Sequence, residues 1–123
     1  MRITFAALMV GLFLSGQSLA QAPPSYGFGA APCSTFLSDS RLRGDQGRAF
    51  YYSWAQGFIT AANALLNTEY PMVKNLTAKI SNDEQQKILD SICRAKPEQD
   101  FSRAVMQLLD KIREAEDLQP ILK

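Results

Sequence analysis

Two cysteines, Cys33 and Cys93, are the only ones in a chain of 123 residues, and sixty residue steps separate them. What the pair means depends on where the chain goes. Residues 1–20 read as a secretory signal: Arg2 supplies the positive start, Phe5 to Leu14 the apolar stretch, and Ser18-Leu19-Ala20 sets small residues at the positions a signal peptidase reads. The apolar stretch is far shorter than the roughly twenty residues of a membrane span, so cleavage after Ala20 is expected rather than an uncleaved anchor. Gln17 stands where a lipid anchor after Leu14-Ser15-Gly16 would need Cys. In an oxidising compartment two cysteines permit one intramolecular pairing, Cys33–Cys93. Closing a loop of that length stabilises by about 4 kcal/mol in the chain-entropy model, against a usual total of about 5–15 kcal/mol for a small domain. A redox-active or nucleophilic thiol would call for a Cys-x-x-Cys spacing or a histidine neighbour, and the chain has neither.

Charge and composition narrow the function classes. The whole chain has 13 Lys and Arg against 12 Asp and Glu. Loss of residues 1–20, whose single charge is Arg2, leaves a neutral mature chain. A neutral chain has no surplus of cations to displace counterions from nucleic acid. There is no histidine, which removes the commonest metal ligand, the commonest general base and the usual partner of a catalytic Ser or Cys. Two cysteines fall short of a zinc site of the usual Cys/His type. The expectation is a protein without a catalytic site, cofactor or metal, and with no membrane-spanning segment after the leader.

Along the chain, Gln21 to Pro32 holds Pro23, Pro24, Pro32 and two glycines and is expected to be a flexible leader without a core of its own. From Cys33 the pattern turns helical, and residues 33–123 are expected to form one domain. A short first helix is expected over Ser34 to Ser38, then a polar turn over Arg41 to Gly47. The longest helix is expected from about Asp45 to Asn67, where Phe50, Trp54, Phe58, Ala62 and Leu66 recur every four residues, flanked by Tyr51, Ala55, Ile59 and Leu65. Gly57 interrupts it, either to admit a neighbouring helix closely or to kink. Pro71 breaks the pattern, and Asn67 to Asn82 is irregular; Asn75-Leu76-Thr77 matches a glycosylation sequon, a tripeptide frequent by chance. A third helix is expected over Asn82 to Arg94, opened by Ser81 and Glu84 at capping-box spacing, with Ile88, Leu89 and Ile92 on its apolar face beside Cys93. A fourth is expected over Pro97 to Asp117, with Pro97 in its first turn and Phe101, Ala104, Val105, Leu108, Leu109 and Ile112 buried. The predicted fold is therefore all-α, a small four-helix single domain stapled by one disulfide.

Acid–base pairs such as Asp90–Arg94 and Asp83–Lys87 stand at i, i+4, which suits a solvated helix face better than an acid–base site. Arg41, Arg43 and Arg48 form the one basic cluster and could dock an acidic partner, though arginines around a glycine-containing turn are more often solvated. The aromatic stripe Phe50, Tyr51, Trp54, Phe58 is the densest feature of the chain. Helical spacing favours a core role for it, and a domain able to open could also offer it to other proteins.

Cys33 followed by Phe36-Leu37, a helix carrying Trp54-Ala55-Gln56-Gly57-Phe58, then Ile92-Cys93, Pro97, Phe101, Ala104-Val105 and a closing amphipathic helix make up a recognisable layout. It resembles the HdeA/HdeB family of small periplasmic proteins from Cys33 onward. The resemblance implies a small helical domain with one disulfide, a periplasmic location, a homodimer near neutral pH, and an acid-stress chaperone that loosens at low pH to hold denatured clients. Phe50, Tyr51, Trp54, Phe58 and Phe101 are then the client-binding candidates. The chain differs from that family in its longer span between the cysteines and in carrying its Trp within the long helix. Immunity proteins of type VI secretion amidase effectors share a similar Trp/Gly helix followed by a late Cys and Pro, and imply an alternative partner, one cognate effector enzyme inhibited through a fixed surface. Without histidine, a pH response would have to come from carboxylates, at about pH 3–5.

Overall fold

The computed structural model describes residues 25–69 and 79–116, with the backbone alone for 66–69. The expected signal, the first four residues of the leader and the Asn75 sequon lie outside them. Among the described residues the protein is all-helical, with a short 3-10 turn at Gly27–Ala30 followed by α1 (Cys33–Glu69), α2 (Asn82–Ala95) and α3 (Phe101–Ala115). The three helices pack on one another around a shared core.

Helix α1 replaces two elements that the sequence led us to expect as separate. It runs unbroken except at Gly44, the one residue within it that leaves helical dihedrals (φ 55°, ψ −135°). In a straight helix Asp39 and Tyr51 would stand about 18 Å apart, yet the Tyr51 hydroxyl donates a hydrogen bond to Asp39 Oδ2 at 3.0 Å. The part before Gly44 is thus folded back onto the part after it. Gly47 permits the approach, since a Cβ there would lie 2.5 Å from the Asp39 carbonyl oxygen. The expected seven-residue turn over 41–47 shrinks to one residue because glycine takes positive φ without steric cost. There are three helices among the described residues, the first sharply bent, where four separate ones were expected.

Helix α2 begins as its sequence requires. Ser81 Oγ accepts from the Glu84 N–H at 3.3 Å, and Glu84 Oε2 accepts from the Ser81 N–H at 3.1 Å, so two of the orphan donors at the helix start are satisfied reciprocally. Leu89, Ile92 and Cys93 are buried. Helix α3 buries Phe101, Ala104, Val105, Leu108, Leu109 and Ile112, the six positions its periodicity singles out. Its start differs from expectation. Pro97 lies in a turn ahead of the helix, because the backbone of 97–101 is engaged with α1: Pro97 and Gln99 carbonyls accept from the Ser34 and Cys33 N–H groups, each at 2.8 Å, and the Phe101 N–H donates to Ala31 O at 2.8 Å. The donors that open α1 are met by the α2–α3 turn rather than by a capping side chain.

The same corner carries the disulfide. Cys33 and Cys93 are bonded, with Cα atoms 5.0 Å apart, and both are fully buried. The staple joins the first residue of α1 to the last turn of α2, while the adjacent bridge pairs Pro32 with Asp100. Phe101 sits beneath, in ring contact with Phe36 (centroids 5.0 Å), Tyr51 (5.1 Å) and Trp54 (6.2 Å). It ties both arms of α1 to α3, and each such pair adds about 0.5–1.5 kcal/mol beyond simple burial.

Candidate functional site

The five candidate client-binding residues separate by depth. Phe101 and Tyr51 are core residues, Trp54 and Phe58 are half-buried at its edge, and Phe50 is 48 % exposed. The buried row of α1 is Tyr51, Ala55, Ile59, one position on from the aromatic row Phe50, Trp54, Phe58. One residue turns a helix by about 100°. The aromatic row therefore lines the rim of the core, and the flanking row, which includes the small Ala55, lies within it. Leu65, expected to widen the stripe, is 71 % exposed. Gly57 neither kinks α1 nor admits a neighbour: it is exposed, its dihedrals are helical, and a Cβ would meet nothing within 4 Å.

The rim is covered from an unexpected direction. Residues 25–32, assigned by composition to a flexible leader, pack against both α1 and α3. Phe28 stacks on Phe50 with centroids 5.8 Å apart and planes 10° apart, and it meets Tyr51 at 4.8 Å. Gly29 is buried, and a Cβ built on it would overlap the Trp54 indole, so no larger residue fits there without displacing something. Trp54 in turn stacks on Phe58, with centroids 5.9 Å apart. Phe28 and Phe50 remain exposed and form the outer edge of this ring cluster. Sequence reasoning passed over Phe28 and Gly29. The available signal was the alternation Tyr26-Gly27-Phe28-Gly29, in which each aromatic is followed by a residue small enough to lie flat on another ring.

Polar contacts between elements rest largely on carboxylates. Asp39 accepts from Tyr51 across the bend of α1. Asp90 on α2 accepts from Arg94 at 3.0 Å and faces Arg48 of α1 at 3.8 Å. Glu116 accepts from the Lys79 N–H at 3.1 Å, while Lys79 Nζ donates to the last helical carbonyl of α3, Ala115 O, at 2.8 Å. One network holds no carboxylate. Gln85, fully buried, donates to Ile80 O at 2.9 Å, and its Oε1 accepts from Gln56 Nε2 at 2.9 Å and from the Tyr52 hydroxyl at 3.2 Å. Burial, its hydrogen bond to Asp39 and the charge of that carboxylate push the Tyr51 hydroxyl up to about 12, with Arg43 pulling the other way. Tyr52 is raised by burial and then by Asp83.

Of the basic cluster, Arg48 is engaged with Asp90, and Arg41 and Arg43 are exposed beside the bend. Next to Arg48 lies an open polar cleft of about 430 Å³ between α1 and the start of α2, lined by Asp45, Tyr52, Ser53, Asp83 and Gln86 among others. Among the described residues no three His, Cys, Asp or Glu side chains converge to hold a metal, and no helix is long and apolar enough to cross a membrane. No protein-family model, curated protein or solved structure matches this chain.

Proposed function

We propose that this chain is an exported protein of the periplasm that holds apolar segments of other proteins, and that it does so most strongly in acid. The observation that carries this reading is the ring cluster on α1. It runs from exposed Phe28 and Phe50 through Tyr51 to buried Phe101, which half-buried Trp54, itself stacked on Phe58, meets as well. A modest opening at the rim uncovers large aromatic area, whereas the corner of 31–34 and 97–101 is held by the staple and by backbone hydrogen bonds. The form of residues 1–20 supports export, and an intact Cys33–Cys93 bond is what an oxidising compartment would maintain.

Acid acts on this arrangement through net charge. Protonating all 12 acids leaves the mature chain strongly cationic, and self-repulsion opposes compactness. The disulfide and the Gln85 network hold no group that changes charge in acid, so the opened state stays tethered.

The test uses residues 21–123, oxidised, with two unrelated aggregation-prone clients at neutral pH and at about pH 2.5, well below the carboxylate range. The expected result is suppression of aggregation in acid, little at neutral pH, and loss of suppression when the disulfide is reduced. No suppression in acid sinks the reading. The second reading, a dedicated inhibitor of one effector enzyme, is favoured by the polar cleft at Arg48, whose walls are fixed by two helices. It would show instead as tight binding of a single partner at neutral pH.

A further inference from the structure

We propose that the Trp54 face of α1 is a peptide-binding groove that the chain's own residues 26–29 occupy as a stand-in, and that its ligand is an apolar segment of another protein with an aromatic residue beside a glycine. The inference rests on the protein-holding reading and adds to it a site and a ligand class.

The resident segment shows what the groove accepts. Phe28 supplies a ring that stacks on Phe50 and tilts against Tyr51, and Gly29 lies so close to the Trp54 indole that any side chain would collide with it. The segment's attachment is suited to exchange. Among the described residues, 25–30 makes no hydrogen bond to any of the three helices; it is held by packing alone, on α1 through rings and Gly29 and also against α3. Fixation begins one residue later, where Ala31 O accepts from Phe101 and Cys33 enters the disulfide. Residues 25–30 can therefore leave the groove while the rest of the fold stays anchored, and both phenylalanines of the contact already meet solvent.

Competition between resident and ligand sets the measurable effect. A groove that its own segment fills about nine-tenths of the time binds a ligand about tenfold more weakly than an empty one. The probe is a labelled peptide of sequence YGFGAA, residues 26–31, with YGFVAA as the control in which valine replaces the glycine. Gly29→Val evicts the resident segment without altering the groove, so it should shift Trp54 emission to the red and bind YGFGAA about tenfold more tightly than the wild type. Trp54→Ala should lose binding, and YGFVAA should bind neither protein. Should Gly29→Val fail to fold by circular dichroism, Phe28→Ala serves in its place, with a change of the same sign and smaller size. Equal affinity of the wild type and the evicted variant, equal binding of the two peptides, or binding indifferent to Trp54→Ala overturns the proposal. A doubled mass in solution that the peptide collapses would also overturn it, by making a second copy of this chain the occupant. Measuring client aggregation in parallel separates the two readings. Peptide binding without suppression in acid keeps the groove and sinks the holding function. Suppression indifferent to Gly29→Val and Trp54→Ala keeps the function and sinks the groove.

Discussion

Phe101 and Phe50 stand at opposite ends of one aromatic cluster, and different forces hold their surroundings. Around Phe101 the chain is fixed by a disulfide, by three backbone hydrogen bonds of 2.8 Å between 31–34 and 97–101, and by ring contacts from three directions. Around Phe50 the cover is held by stacking on Phe28 and by the fit of Gly29 to Trp54. Ring contacts are individually small, whereas a covalent tie and paired backbone donors fix position. Local openings of a folded chain draw on its least anchored parts. The comparison therefore teaches that the staple side sets global stability and the Trp54 side sets what can be exposed without unfolding.

The largest test of that division is removal of the staple. Cys33→Ser with Cys93→Ser should cost about 4 kcal/mol in urea unfolding by the loop-closure estimate, and a loss under 1 kcal/mol would mean that the turn contacts alone hold the corner. Next in size is the contrast within the cluster. Phe101→Ala, which empties a fully buried site, should cost about 3 kcal/mol. Phe50→Ala, half in water, should stay within about 0.5 kcal/mol. Equal losses at the two positions would erase the distinction between staple side and rim.

Legibility in the sequence follows the same line. The buried face of α3 and the capping box of α2 are local patterns, decided by residues three and four apart, and the sequence shows both. The pairing of Cys33 with Cys93 followed from there being no other cysteine. The misreadings involve contacts between distant segments. The stripe of α1 reads in the sequence with its centre on Phe50, Trp54 and Phe58, whereas the row expected to flank it, Tyr51, Ala55 and Ile59, is the one fully buried, and Trp54, Phe58 and Ala62 pack at its edge. Gln85 hid on an apolar face because a buried amide is legible only through its partners, here Gln56, Tyr52 and Ile80. Prolines and glycines made 21–32 look unstructured, although Gly29 is the residue that lets the segment seat on Trp54. The delayed start of α3 likewise depends on backbone groups of 31–34 that are remote in sequence.

Tyr51 joins the two regions, touching Phe28 on one side and Phe36 and Phe101 on the other, so its titration sharpens the comparison. Its hydroxyl is raised to about 12 in the folded chain, against about 10 when unfolded. The unfolded state loses this proton first as pH rises. The stability tied to the neutral hydroxyl is therefore intact below about pH 10 and is lost between about pH 10 and 12. Tyr52, also raised, adds a slope of the same sign. Tyr51→Phe should flatten the alkaline limb of a plot of unfolding free energy against pH and leave the part due to Tyr52. An unchanged slope would place the Tyr51 hydroxyl in contact with water and weaken its link to Asp39.

A small expected gain separates global from local stability most cleanly. Gly57 lies in helical conformation on the exposed side of α1, between Trp54 and Phe58 in sequence, with open space where a Cβ would go. Replacing it with alanine reduces the freedom of the unfolded chain and adds no contact, so Gly57→Ala should stabilise by about 0.4–1 kcal/mol. The helix that carries the groove is then firmer, while the fit of 26–29 to Trp54 is untouched. If the cover is governed by its own weak contacts, thermal unfolding should move upward with no change in Trp54 emission or in quenching by acrylamide at neutral pH. A fall in quenching that tracks the gain in stability would show that the cover opens only when α1 itself unfolds, and the two regions would then be a single cooperative unit.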